Sequence, residues 1–267
     1  MIQVAVINES TVVSDQELAA CIAALLDQVQ TDFFPYWGIE CQLVGFQKAN
    51  IASIPADMWQ LVVLDDSDQA EALGYHELTA SGRPLGKVFA KSDIDAGTSW
   101  TVTASHELLE MLADPWINLA AERDEADGTA AFYAYEVCDA VEADALGYKI
   151  GDVLVSDFVT PAWFEPLMPG PYSLKENVKN PFELAAGGYI SVLRDFSSGW
   201  EQVTARHIVQ RGAETFVEFS PGGPKAPEGS RRDRRTIIHS AWRRSVHVSP
   251  AGFESSNPDP PHGANLP

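Results

Sequence analysis

Basic residues are scarce in this sequence: 18 Lys and Arg face 38 Asp and Glu, a formal charge of −20 over 267 residues. A chain so short of cations does not suit general nucleic-acid binding, which needs clustered Lys and Arg against phosphates. Cysteine is scarcer still. Cys21, Cys41 and Cys138 are too few, and odd in number, for a disulfide framework, and they fit a reducing, cytoplasmic setting. No apolar run approaches the roughly 20 residues of a spanning helix, so no membrane segment is expected. The opening residues, MIQVAVINES, lack the basic start and apolar stretch of a secretory leader. What is plentiful is apolar and aromatic surface, 45% and 10% of residues, enough for a sizeable core and against wholesale disorder.

The shortage of basic residues is uneven. Residues 1–205 carry 9 Lys/Arg against 32 Asp/Glu, whereas 206–267 carry 9 against 6. Within the tail, Arg231, Arg232, Arg234, Arg235, Arg243 and Arg244 lie close together among Pro/Gly-rich stretches such as SPGGPKAPEGS. Composition and pattern divide the chain into a 1–117 subdomain, a 118–220 subdomain that completes a cleft, and a mobile 221–267 tail. The Arg-rich stretch reads either as a solvated or self-docking segment or as an arm for nucleic acid or another partner. No feature speaks to oligomeric state.

Residues 2–7, IQVAVI, form a β-branched apolar run that predicts a buried strand. Ser14 and Glu17 make a capping-box pattern ahead of a helical stretch that Pro35 and Gly38 close. Strands are predicted at 41–47 and 59–65. The segment 85–91, LGKVFAK, reads as a sheet edge because Pro84 and its lysines suit one. A helix over 99–113 stops at Asp114-Pro115. Residues 118–130 read as loop, 132–142 as a short strand or helical turn, and the stretches beginning GYKIGDVLV and GGYISVLRD as hairpins, the second turning at 197–199. The predicted class is α+β: a mixed sheet with an antiparallel edge strand and a helix bearing the site, then a hairpin-rich C-terminal part.

On that helix, His106-Glu107-Leu108-Leu109-Glu110 puts an imidazole and a carboxylate at i and i+4, on one face. The pattern matches the metalloprotease H-E-x-x-H helix except that Glu stands at the second ligand position, and carboxylate oxygen is an accepted zinc ligand. Five residues alone are unspecific, but the apolar context of Leu108, Leu109, Met111 and Leu112 is that of a buried active-site helix.

With these residues in place, the chain resembles the zincin-type metallopeptidases. More narrowly, ASHELLEMLADP followed by YEVCDAVE, with GYHELT and GRPLGKVF upstream and VSDFVTPAWF downstream, looks like a family of bacterial and phage zincin-like proteins. The resemblance covers about residues 1–165. It implies a Zn2+ ion, or another divalent metal, held by His106, Glu110 and Glu136. Glu107 would be the general base, and Asp139 an orienting carboxylate on His106. It also implies a peptide or protein substrate, bound as an added strand along 85–91. Two carboxylates beside one imidazole neutralise a divalent ion, acidify its water less than neutral ligands do, and weaken the preference for zinc.

Other readings stand beside these. Asp114 is a helix stop or a further ligand. His76, placed in the loop before 85–91, is a turn residue or a contact to metal or substrate from the opposite rim. Cys138, lacking a C-x-x-C partner, reads as a small buried apolar residue. Tyr133 and Tyr135 are core residues or oxyanion stabilisers, and Ser105 has no nucleophile context. Two functions follow: a zinc-dependent hydrolase of peptide bonds, or a non-catalytic zincin-like metal-binding or phage-associated structural protein.

Overall fold

In a computed structural model the described residues are 1–68, 72–125, 127–211 and 214–220, with side chains to 205. The tail from 221, with its arginines and expected mobility, lies outside the described residues. The chain begins with β1 (Ile2–Asn8), α1 (Asp15–Asp27), a π-helical stretch at Gln28–Phe33 and α2 (Phe34–Trp37). Then come β2 (Cys41–Gln47), β3 (Trp59–Leu64), β4 (Gly74–Leu78), β5 (Pro84–Phe89), α3 (Ala90–Ala96) and α4 (Trp100–Ala113). The remaining strands are β6 (Ala120–Asp124), β7 (Ala130–Ala134), β8 (Tyr148–Ile150), β9 (Val153–Val155), β10 (Tyr189–Leu193), β11 (Glu201–Arg211) and β12 (Glu214–Ser220).

The first sheet has the order β2-β1-β3-β5-β4 and is mixed: four parallel strands with β4 antiparallel at one end. The second, β12-β11-β10-β7-β6, is antiparallel throughout, and β8-β9 is a separate hairpin. Alternation decides which side of the mixed sheet the helices cover. Val4 and Val6 of β1, with Leu61 and Val63 of β3, point into the main core with α1 and α4. Ala5, Ile7 and Val62 point the other way into a small cluster with Met58.

Ser14 caps α1 through a complete capping box with Glu17, and Gly38 ends α2 with φ 65°, a left-handed conformation that glycine accepts without steric cost. Helix α4 is the centre of the molecule: every residue from Ala104 to Ala113 is buried. Its Leu108, Leu109, Met111 and Leu112 share one core with Tyr133, Val137, Trp163, Ile190 and Val192 from the second half of the chain. Asp114 N donates to Glu110 O and closes the last turn before Pro115 stops the helix.

Two expectations are corrected. The segment 85–91 is not the sheet edge: β5 pairs with β3 on one side and β4 on the other, and β4 is the outermost strand among the described residues. Pro84 is the first residue of β5, a position where a missing N–H costs little. Lys87 Nζ lies 2.8 Å from Asp68 and 3.0 Å from Glu77, so its charge is met within the sheet. Residues 118–130 are not loop either, since β6 and β7 form a hairpin within 120–134. Both hairpins expected further on are present, β8-β9 and β10-β11. No helix among the described residues is long and apolar enough to cross a membrane.

Candidate metal centre

Helix α4 packs directly beneath β4 and β5 because two glycines let it approach. A Cβ on Gly74 would lie 2.5 Å from Thr103 Cγ2 and 3.0 Å from both Cγ and Oε1 of Glu107. One on Gly86 would lie 2.7 Å from Leu61 Cδ1 and 3.6 Å from Glu107 Cβ. The space that these side chains would fill is taken by the Glu107 carboxylate arm. One turn on, Glu110 is fully buried, its Oε1 3.1 Å from His106 Nε2, the i,i+4 contact that the helix spacing predicts.

Two other elements reach the same place. Strand β4 delivers His76, 1% exposed, whose Nδ1 stands 3.6 Å from Glu107 Oε2 and 3.7 Å from Glu110 Oε2. The segment after β7 delivers Glu136, Cys138 and Asp139, all buried. Asp139 Oδ1 is 3.2 Å from His106 Nε2, and the Cys138 backbone N–H donates to Glu110 Oε1 at 3.3 Å. Burial alone pulls the His106 imidazole down, but Glu110 and Asp139 outweigh it and hold its pKa well above the usual histidine value. Burial pushes the Cys138 thiol well up, partly countered by His106.

Ligand-type atoms come within 4.8 Å of one another in two overlapping triads, His106–Glu110–Cys138 and His76–Glu110–Glu136. Glu110 belongs to both. These donors fit a divalent cation. Among the described residues, neither ring nitrogen of His76 has a hydrogen-bond partner, an arrangement costly in a dry interior unless a further group occupies the space. Several carboxyl groups gathered out of water call for positive charge in the same way.

His106, Glu107, Glu110, Glu136 and Asp139 are thus brought together, but Asp139 meets the same His106 nitrogen, Nε2, as Glu110 does, and not the other ring nitrogen from which an orienting carboxylate would act. The trio His106, Glu110 and Glu136 is divided between the two triads rather than forming one of them. Asp114 belongs to neither triad; its oxygens accept the backbone N–H groups of Asn118 and Leu119 at 3.0 and 3.1 Å and so hold the turn that ends α4. His76 lies in a strand and not in a loop, a correction with a physical cause. Strand β4 buries both Tyr75 and His76, so it lacks the alternation that marks a strand in sequence. Cys138 was read as core only. It is core, and it also borders the site; its closeness in sequence to Glu136 and Asp139 was the available signal.

Ser105 has a structural task. Its hydroxyl donates to Gln28 Oε1 at 2.8 Å and accepts the Ser156 N–H at 3.0 Å. Tyr133 donates to Glu125, and Tyr135 stacks on Phe164 with centroids 4.2 Å apart. No protein-family model, curated protein or solved structure matches this chain.

Proposed function

We propose that this chain is a metal-dependent hydrolase of peptide bonds, of zincin type, with Zn2+ or a related divalent ion held around Glu110. The observation that carries the reading is the convergence of Glu107 and Glu110 of α4 with His76 and His106, directly below the antiparallel strand at the end of the sheet. The ligands are drawn from His106, Glu110, Glu136 and His76. When bound, a divalent ion supplies Lewis acidity and lowers the pKa of a water molecule. Glu107 would be the general base that takes a proton from the attacking water and then, as general acid, gives it to the leaving amine. An extended peptide adds to β4 as a further antiparallel strand, a role moved from 85–91 because β5 is paired on both sides. Three buried free thiols suit a reducing compartment such as the cytoplasm.

A second reading has its own support. No residue of the cluster is more than 5% exposed, whereas a catalytic metal keeps a position open to water and substrate. On that reading the chain is a non-catalytic zincin-like module that retains the ion for stability. Glu107→Gln separates the two. For the hydrolase, the variant retains metal by elemental analysis but cleaves an unfolded protein substrate at least about 100-fold more slowly. Metal-loaded wild type that cleaves no peptide leaves the second reading standing.

A further inference from the structure

Both triads pass through Glu110, whose two oxygens face different histidines. Oε1 lies 3.1 Å from His106 Nε2 and accepts the Cys138 N–H. Oε2 faces the outermost strand, 3.7 Å from His76 Nδ1. On the Oε1 side, protein groups already meet one another: His106 Nε2 has carboxylate oxygens of Glu110 and Asp139 at 3.1 and 3.2 Å. On the Oε2 side, His76 is 1% exposed and, among the described residues, neither of its nitrogens has a hydrogen-bond partner.

The spacing on that side is informative. At 3.6 and 3.7 Å, the carboxylate oxygens nearest His76 Nδ1 are too far for a hydrogen bond. The 3.7 Å from His76 Nδ1 to Glu110 Oε2 is close to the separation of two ligands that share one ion, since donors about 2.1 Å from a tetrahedral zinc stand roughly 3.4 Å apart, and a Glu136 oxygen lies within 4.8 Å of both. The donor chemistry agrees, since a neutral imidazole and two carboxylates offset a double positive charge.

We infer that a divalent cation binds between His76, Glu110 and Glu136, on the side of Glu110 that faces β4, and that His106 orients Glu110 from the opposite oxygen instead of holding the ion. This rests on the metal-centre reading above and goes beyond it by assigning the edge strand a ligand. The ion then ties β4 to α4, so the strand proposed to receive peptide is anchored by the metal itself.

The two triads differ in one element, sulfur, and that difference supplies the test. The full-length chain is loaded with Zn2+ for X-ray absorption and with Co2+ for visible and near-ultraviolet spectra. The inference expects one ion per chain, nitrogen and oxygen neighbours only, and no thiolate-to-cobalt charge-transfer band. A sulfur shell at about 2.3 Å from zinc, or that band, places the ion with Cys138 and overturns the inference while leaving a metal centre intact. His76→Gln is expected to weaken Zn2+ binding at least about 100-fold by calorimetry, more than loss of an orienting residue usually does; unchanged affinity in a folded variant overturns the inference. Should that variant not fold, the wild-type spectra decide. A wild type that takes up neither Zn2+ nor Co2+ overturns this inference and the metal-centre reading together.

Discussion

Asp93 sits at the end of the site with no surface exposed, its Oδ1 accepting the hydroxyls of Thr98 and Thr103 at 3.0 and 2.9 Å. Burial lifts its pKa from 3.8 to about 6, against the pull of the two threonines and with a smaller push from Asp144 and Glu107. A carboxyl whose folded pKa lies above its unfolded value holds its proton more tightly when folded, so its contribution is fully present below about pH 4 and is lost as pH rises through about 6. Asp93→Asn removes that loss. Relative to wild type, the variant should gain up to about 3 kcal/mol of unfolding free energy between pH 4 and pH 7.5. Denaturant curves at the two pH values measure it, and the difference between them cancels any direct effect of the amide. An equal offset at both values would mean that Asp93 is ionised in the fold at pH 4. What sequence showed at this scale was residue identity. The His-Glu-x-x-Glu spacing named His106, Glu107 and Glu110 because a helix makes i and i+4 neighbours whatever surrounds it. Asp93 was beyond that reach, because its importance comes from what packs over it, and His76 stood as a candidate contact whose place in a strand the sequence did not show.

The elements around the site are tied together by one buried polar network. Gln28, the first residue of the π-helical stretch, accepts from Ser105 of α4 and donates through Nε2 to Ser156 O at 2.9 Å and Tyr148 Oη at 3.2 Å. Tyr148 in turn donates to Asp32. The widened turn that follows α1 is thereby bound to α4 and to the β8-β9 hairpin, and such π-type turns recur at functional sites. Gln28→Leu keeps the volume but takes from the Ser105 hydroxyl its acceptor and from the Ser156 carbonyl the Gln28 donor, both in the core. A loss of about 2–3 kcal/mol is expected, and combining it with Ser105→Ala should cost less than the sum of the two. Denaturation of the single and double variants checks both points; additive losses would mean that the two residues do not act as a unit. Helix ends were legible here because Ser14, Gly38 and Pro115 carry local chemistry that needs no partner. Strand β4 and the β6-β7 hairpin were not. Strand β4 buries two successive residues and shows no period of two, and β6 and β7, AAERD and AAFYA, are rich in alanine, which is depleted in strands.

Across the whole molecule, the acidic excess is not confined to the surface. Residues 1–205 carry 32 acidic side chains against 9 basic ones, and seven of the acidic groups, Asp93, Glu107, Glu110, Asp114, Glu136, Asp139 and Asp157, are buried. Some have hydrogen bonds that account for their place: Asp114 holds the turn after α4, and Asp157 accepts from Phe158 N, Lys175 N and Asn177. Glu107, Glu110, Glu136 and Asp139 instead converge from two segments, α4 and the stretch after β7, on two histidines. The unfolded chain does not hold that arrangement, so an ion bound there binds the folded state alone and stabilises it by mass action. At free Zn2+ about 100 times the dissociation constant, the gain is about 2.7 kcal/mol, which for a fold of this size raises the melting temperature by roughly 5–10 °C. Chain stripped with a chelator should melt lower by that amount and recover when Zn2+ is restored. The increment should be largely absent in Glu110→Gln, because Glu110 is the residue common to both triads. Equal melting temperatures with and without metal, in a wild type shown to bind it, would mean that the unfolded chain binds the ion as well as the folded one and that the ion does not use the arrangement that folding builds.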